Sequence, residues 1–320
     1  MIIQLSDIRD DRQHKALTGV SKEIFGKLTQ IFGEVYEESQ EKAYEEAVNS
    51  GERERQRGGG RKSKLPTIPE KLLFLLYYLK NYPTFDVLAA HFSMSRSKAC
   101  ENIHKLLPIL KKTLARIGVI PHRRFENAEE LRKIIGEIDK IIIDATERAH
   151  RRPADNEKQT SMYSGKKKRH TVKNTVISTA DKVILFVGQT FTGHNHDYTM
   201  LKEEFPPDEP WFENINVLGD LGYQGIQKDY EGDRIEIPAK KPRKSKADPK
   251  PELSEEKKNE NRDLSRVRIL VENAIGGIKR YNILNHLFRN RKDNFVDDVI
   301  ALCAGLWNMI LPNKTERNFI

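Results

Sequence analysis

The chain has 320 residues, enough for two domains or for one large domain with additions. Its 56 basic residues outnumber its 47 acidic residues, giving a net charge of +9 that favours a polyanionic partner, although a protein that is merely basic is an open alternative. Two cysteines far apart, Cys100 and Cys303, argue against a disulfide framework and a Cys-rich zinc site. The sequence shows no secretory signal, and the longest apolar run, 299–311, is too short to span a bilayer. We therefore expect a cytoplasmic protein with a buried C-terminal helix.

The N-terminal part divides into a helical segment and a linker. Residues 20–50 carry apolar side chains at helical spacing, which predicts an amphipathic helix or helix pair. Residues 51–64 combine glycine with arginine and lysine, which predicts a flexible basic linker. Such a linker either follows a phosphate backbone or is simply solvated. We assign 1–64 to this segment.

Residues 66–117 have the pattern of three helices. Apolar periodicity predicts helices over 69–80, around 85–92 and from Ser95 onward, with Ser95 as N-cap after a tight turn at 93–95. A short helix, a sharp turn and a longer helix are typical of a helix-turn-helix, so we predict an all-α DNA-binding domain over 65–125. A helical bundle with a solvated charged face is the alternative. The side chains expected to contact phosphates and base edges are Arg96, Lys98, Asn102 and Lys105.

From residue 138 the period changes to that of strands. A helix is expected at about 197–204 and a long helix from near Leu264, with an exposed loop at 239–261 and a tight hairpin at Asp181-Lys182. This order fits an α/β fold in which helices flank a mixed sheet, and we place this domain at 126–320. The predicted strands are 138–144, 172–179, 183–190, 215–219 and 234–238.

Three acidic residues stand in distinct contexts. Asp144 ends an isoleucine run, Asp220 lies in the glycine-rich segment 219–225, and Glu272 lies on the long helix predicted from about Leu264. Two carboxylates at strand ends and one on a later helix can hold two divalent metal ions, which is a common apparatus for phosphodiester chemistry. Each residue alone also has a plain structural interpretation, as a turn residue or a solvated helix residue.

The helix around Glu272 has an informative surface. Arg268, Glu272 and Lys279 lie on one polar stripe beside an apolar face. The stripe fits a metal-binding carboxylate between phosphate-contacting cations, and it fits a structural salt-bridge stripe equally well. The pair Gly276-Gly277 indicates that something approaches this helix closely, since helical glycine costs about 1 kcal/mol relative to alanine.

The segment 148–173 is strongly basic. It follows Asp144, so we interpret it as a phosphate track, carried mainly by Lys166, Lys167, Lys168 and Arg169. The nearby His194 and His196 do not predict zinc, because no third and fourth ligand lies at suitable spacing. Asp197 is expected to cap the following helix.

Four blocks in order, 143–147, 163–170, 219–225 and 268–279, resemble the DDE transposases of bacterial insertion sequences, in the branch related to Harbinger transposases. The resemblance implies an RNase H-like fold behind a helix-turn-helix. It also implies that Asp144, Asp220 and Glu272 hold two Mg²⁺ or Mn²⁺ ions. Arg268, Glu272 and Lys279 match a signature of this family, whereas its tyrosine position is Ser265 here.

The function we expect is that of a DNA transposase. It would bind the terminal inverted repeats of its element and perform strand cleavage and strand transfer. Its partner would be double-stranded DNA, on which it would act as a homodimer or larger assembly, associated with the nucleoid of a bacterial cytoplasm. Two rival functions are a non-catalytic repressor derived from a transposase and a nuclease without strand transfer.

Overall fold

A computed structural model describes residues 3–56, 58, 63–136, 138, 140–242, 251–292 and 294–312. Parts of the expected linker and loop, residues 57, 59–62 and 243–250, lie outside this description. Among the described helices, none combines the length and apolar character that a membrane crossing needs.

The N-terminal part is helical. Two helices precede the linker, and the three helices of the expected helix-turn-helix follow it. Thr67 caps the first of these three, and Ser95 caps the last by accepting a hydrogen bond from the Lys98 amide, as predicted. A left-handed Ser93 makes the sharp turn before Ser95. The helices are α1 (Asp11–Thr18), α2 (Lys22–Asn49), α3 (Ile68–Asn81), α4 (Phe85–His91) and α5 (Arg96–Arg116).

The remainder of the chain is a mixed sheet flanked by helices. The strands are β1 (Lys140–Ala149), β2 (Tyr163–Ser164), β3 (Arg169–Thr179), β4 (Ile184–Val187), β5 (Phe191–Thr192), β6 (Phe212–Leu218) and β7 (Gly232–Glu236). The helices are α6 (Ala128–Ile135), α7 (Asn156–Met162), α8 (Asp197–Glu204), α9 (Ile226–Asp229), α10 (Glu255–Ile278), α11 (Asn282–Asn285) and α12 (Phe295–Ile310). Short 3-10 turns occupy Leu5–Asp7 and Leu221–Tyr223.

The sheet has the strand order β2-β3-β1-β6-β7, and β4 and β5 also pair with β3. The strands β1, β6 and β7 are parallel, and β3 runs antiparallel to β1. The predicted α/β class and the RNase H-like arrangement are therefore confirmed. The hairpin at Asp181-Lys182 is also confirmed, since the Thr179 amide donates to the Val183 carbonyl across it.

Alternate residues of β1 face two different cores. Ile142 packs with α10, α12 and the N-terminal helices, whereas Ile141 and Ile143 pack with α6, α8 and the Leu221–Tyr223 turn. This alternation is the period of a strand that is covered on both faces. Asp144 is two residues after Ile142, so its side chain lies on the same face of the sheet, the face that α10 covers.

Two expected boundaries differ most from the structure and are wrong. The first strand does not end at Asp144 but continues to Ala149, because β3 pairs with β1 residue by residue from Ile141 to Ala149. The long helix begins at Glu255 rather than near Leu264, so part of the expected loop is helical. Its first turns are mostly exposed and lack apolar periodicity, and Ser254 caps them.

Arg148, expected on the phosphate track, is buried in β1 and donates to Asn174 Oδ1 at 2.6 Å.

The two helical glycines have different surroundings. A Cβ on Gly277 would lie 2.3 Å from ring carbons of Trp307 on α12, whereas a Cβ on Gly276 would meet nothing within 4 Å. The close approach that the glycine pair indicated is therefore real, and it is confined to Gly277. This contact sets how closely α10 packs on α12.

Glu204, at the end of α8, is a largely buried carboxyl that packs against Gly188. Burial raises its pKa to about 7, although the Thr175 hydroxyl, the Gln189 amide and Arg123 favour the charged form. The folded chain therefore holds the carboxyl proton of Glu204 more tightly than the unfolded chain does.

We predict opposite effects for two adjacent alanine substitutions. Gly277→Ala should lower the free energy of unfolding by about 1–3 kcal/mol, because its methyl group overlaps the Trp307 ring. Gly276→Ala is the matched control and should raise it by about 0.5–1 kcal/mol through helix propensity. Urea titrations of both variants measure the difference, and equal effects at the two positions would contradict this packing.

A second prediction concerns pH. The folded pKa of Glu204 lies above its unfolded value of 4.5. Ionisation of this carboxyl therefore destabilises the folded state by an amount that grows as pH rises from about 4.5 to 7. Glu204→Gln should therefore gain stability relative to the unsubstituted protein across that window, by up to about 3 kcal/mol. The measurement is the unfolding free energy at pH 4.5, 6 and 8. The control is Glu203→Gln, whose side chain is exposed; a difference for Glu204→Gln that is constant with pH would refute the assignment.

Candidate active site

Two of the three predicted acids face one cleft. Asp144 lies in the middle of β1, shortly beyond Ile142, the last residue that pairs with β6, and Asp220 follows the end of β6 after Gly219. Because β1 and β6 are parallel neighbours, this topology brings the two carboxylates to the same edge. Both line a cleft of about 520 Å³. Asp220 Oδ1 accepts a hydrogen bond of 2.6 Å from the Gly222 amide, which fixes the turn after β6.

The Asp144 carboxylate is electrostatically strained. The pKa of Asp144 is raised to about 6, chiefly by burial and also by the negative charge of Asp220, while the Ala145 amide and Arg268 act in the opposite direction. The Ala145 amide donates to Asp144 Oδ1 at 2.7 Å. Positive charge placed in the cleft would therefore stabilise the ionised form of Asp144.

Arg268 connects Glu272 with Asp220, one of the two acids of the cleft. Arg268 Nη2 lies 3.9 Å from Asp220 Oδ2 and 3.6 Å from Glu272 Oε1. The Glu272 side chain is 56% exposed and does not line the cleft. In the described ranges, no three His, Cys, Asp or Glu side chains are grouped so that they could hold a metal ion. The catalytic assignment of the three acids stays a prediction.

The predicted phosphate-binding cations fall into two groups. Lys166, Lys167 and Lys279 line the cleft together with Asp144 and Asp220. Lys279 Nζ donates to the Glu147 carbonyl at 3.3 Å, and its pKa is lowered by burial and by the positive charge of Lys167. Lys168 and Arg169, in contrast, are exposed at the β2–β3 turn and do not line the cleft.

The predicted DNA-contacting residues of the helix-turn-helix all lie in the first half of α5. Arg96, Lys98 and Lys105 are exposed, and Asn102 is half-buried beside Met94. Arg96 lies 3.4 Å from Asp86 of α4, and Lys98 pairs with Glu101 at 2.7 Å. This helix start therefore offers side chains of the expected types to solvent.

Asp197 does not cap α8 as expected. The N-cap is His196, Asp197 is the first helical residue, and its carboxylate instead pairs with Lys173 at 2.9 Å. Asp197 and Lys173 line the cleft, as do His194 and His196. Sequence analysis included Lys173 only as part of the basic segment 148–173, and it assigned no site role to His194 or Asp197. The only local signal is the density of polar residues at 193–197, because the pairing with Lys173 depends on the sheet.

The carboxylates of the cleft suit a hard divalent cation. Asp144 and Asp220 supply oxygen ligands, which Mg²⁺ and Mn²⁺ prefer over nitrogen or sulfur. They also repel each other, and the nearest described cation, Arg268, is 3.9 Å from Asp220. A divalent cation between them would relieve both the burial cost and this repulsion, so the residues present fit such an ion.

Comparisons with known proteins agree with this organisation. A family model described as DDE superfamily endonuclease matches residues 143–308, and a second, described as the helix-turn-helix of DDE superfamily endonuclease, matches residues 63–116. The chain is 29% identical over 308 residues to a protein from Microchaete diplosiphon named "Probable transposase for insertion sequence element IS702". That alignment covers 95% of this chain and 96% of the relative. No solved structure gives a significant match.

These matches confirm the transposase-type organisation that the sequence predicts, with a DNA-binding helix-turn-helix in front of an endonuclease domain. They do not distinguish the Harbinger-related branch, which stays a prediction. The endonuclease model alone spans more than half of the 320 residues and contains Asp144, Asp220 and Glu272. The chain therefore belongs to the DDE superfamily endonucleases.

Proposed function

We propose that this protein is a DNA transposase that binds the terminal inverted repeats of its element, cuts DNA there and joins the freed end to target DNA. The observation that carries the proposal is the cleft in which Asp144 and Asp220 lie beside Lys166, Lys167 and Lys279. Paired carboxylates attract metal cations, whereas the lysines attract phosphates. A site that combines them suits a phosphodiester substrate.

In this proposal Asp144, Asp220 and Glu272 hold two Mg²⁺ or Mn²⁺ ions. When bound, such ions activate water or a 3′-hydroxyl and stabilise the leaving oxygen. Arg268 neutralises part of the acidic charge and orients Asp220 and Glu272, since it contacts both. Lys166, Lys167 and Lys279 position the phosphates in the cleft, and Lys168 and Arg169 extend that positive surface along the DNA backbone.

The α5 helix supplies sequence recognition. Its exposed first turns carry Arg96 and Lys98, followed by Asn102 and Lys105. Arginine and asparagine read base edges by paired hydrogen bonds, whereas lysine holds phosphates. We propose that α5 enters the major groove of the terminal repeat. Because two element ends are processed together, we also propose a homodimer or larger assembly on double-stranded DNA, in the nucleoid of a bacterial cytoplasm.

The first test separates DNA binding from cleavage. Asp144→Asn and Asp220→Ala should reduce nicking of a labelled duplex carrying the element's own end by about a thousandfold or more, because each removes a carboxylate from the cleft. Binding to the same duplex should survive. Nicking and strand joining are measured on denaturing gels in Mg²⁺ and in Mn²⁺. Asp208→Asn, in an exposed loop, is the control.

Three outcomes distinguish the rival functions. Binding with no cleavage by the unsubstituted protein in either metal would favour the repressor. Cleavage without a joined product would favour a nuclease that lacks strand transfer. Cleavage by Asp144→Asn at the unsubstituted rate would show that the cleft is not the catalytic site.

The second test concerns the recognition helix. Lys105 is exposed, and the described residues give it no ion pair, so it is free to meet a phosphate. Lys105→Gln should weaken binding to specific and random duplexes alike and reduce the slope of log affinity against log salt by about 1. Lys42→Gln on α2 is the control, since this exposed lysine lies outside the helix-turn-helix. A slope unchanged by Lys105→Gln would remove this residue from the interface.

A further inference from the structure

The cleft contains a carboxylate beyond the three predicted acids. Asp197 lines it together with Asp144 and Asp220, and its side chain is 28% exposed. Glu272, by comparison, is 56% exposed and does not line the cleft. Asp197 therefore shares the cleft with the two aspartates, whereas Glu272 does not.

Gly222 shows how closely Asp197 and Asp220 approach each other. A Cβ built on Gly222 would lie 2.8 Å from Asp220 Oδ1 and 3.3 Å from Asp197 Oδ2. The two carboxylates therefore lie against the same small residue, and a glycine there leaves the space between them open. Two negative carboxylates beside one residue repel each other, and a cation shared between them would offset that repulsion.

Lys173 holds Asp197 in position. Its ammonium donates to the Asn195 carbonyl at 2.8 Å and pairs with Asp197 Oδ1 at 2.9 Å. Only one Asp197 oxygen is occupied by this pair, and the other, Oδ2, is the one beside Gly222 and Asp220. Lys173 itself is fixed on β3, opposite Glu147 of β1. The arrangement keeps one carboxylate oxygen directed to the acidic side of the cleft.

We propose that Asp197 is a further carboxylate of the metal site, held by Lys173 with Oδ2 available for a divalent cation. The inference rests on the proposed metal-dependent function. It adds to the predicted triad a residue that reaches the site from the start of α8. A purely structural salt bridge between α8 and β3 is the competing role, and the two differ in their response to metal.

The experiment measures Mn²⁺ binding by the full-length protein without DNA. Free Mn²⁺ is followed by electron paramagnetic resonance, and the Mn²⁺-dependent rise in Tm is followed in parallel. Asp197→Asn, which keeps the side-chain shape, should weaken Mn²⁺ binding by about tenfold or more. Asp197→Glu should recover part of it. Lys173→Gln should bind Mn²⁺ at least as well as the unsubstituted protein, because the carboxylate remains and a competing cation is gone.

The matched control is Asp229→Asn. Asp229 also pairs with a lysine, Lys202. It is the last residue of α9 and lies outside the cleft. Its substitution should leave Mn²⁺ binding unchanged. A structural role for Asp197 would instead appear as an equal loss of metal-free Tm in Asp197→Asn and Lys173→Gln, with Mn²⁺ affinity intact in both, and this result would overturn the proposal.

Asp144→Asn separates this inference from the proposed function. If Asp144→Asn loses Mn²⁺ binding and Asp197→Asn does not, the assignment of Asp197 alone is wrong. If the unsubstituted protein binds no Mn²⁺, or if Asp144→Asn binds it normally, the metal-dependent function fails and Asp197 loses its role with it. Parallel losses in Asp144→Asn and Asp197→Asn support both.

Discussion

The rest of the site depends on a carboxylate placed on an inner strand of the sheet. β1 pairs with β3 on one side and with β6 on the other, so Asp144 is carried into a region where burial raises its pKa to about 6. Burying a carboxylate costs free energy unless hydrogen bonds or opposite charge compensate for it. The Ala145 amide and Arg268 compensate in part, whereas Asp220 and Asp197 add to the cost. An apolar side chain would stabilise this strand better; in the proposed function the carboxylate has the role of holding a cation.

The position of α10 connects helix packing with the charge of the cleft. Val271 and Ala274 are fully buried on its inner face, and Gly277 lets the helix settle against Trp307. On the neighbouring stripe, Arg268 comes between Asp220 and Glu272. A displacement of α10 would therefore change the distance between Arg268 and Asp220, and with it the charge compensation of Asp220. In this sense the packing of one glycine contributes to the electrostatics of residues on another element.

Local features of the chain were predictable where local physics decides them. The Ser95 cap, the hairpin at Asp181-Lys182 and the three helices before residue 117 follow from hydrogen bonding and periodicity within a few residues. The continuation of β1 past Asp144 depends on pairing with β3, and the first turns of α10 bury too little apolar surface to leave a periodic signal. The orientation of Asp197 depends on Lys173, which lies on a strand remote in sequence. Helical periodicity also placed Glu272 on a stripe with Arg268 correctly, but it does not determine whether that stripe opens into the cleft.

The helix-turn-helix and the cleft are joined by one continuous core. Buried side chains of α3 and α5 belong to the same apolar cluster as those of α10 and α12. Polar links cross the same boundary: Lys111 reaches Asp298 at 2.6 Å, and Lys80 donates to the Arg280 carbonyl at 2.7 Å. Close-packed interiors do not deform continuously, so α5 cannot swing relative to β1 without breaking these contacts. If α5 reads DNA and the cleft cuts it, the distance between the recognised bases and the reacting phosphate is then set by this core rather than by a flexible linker.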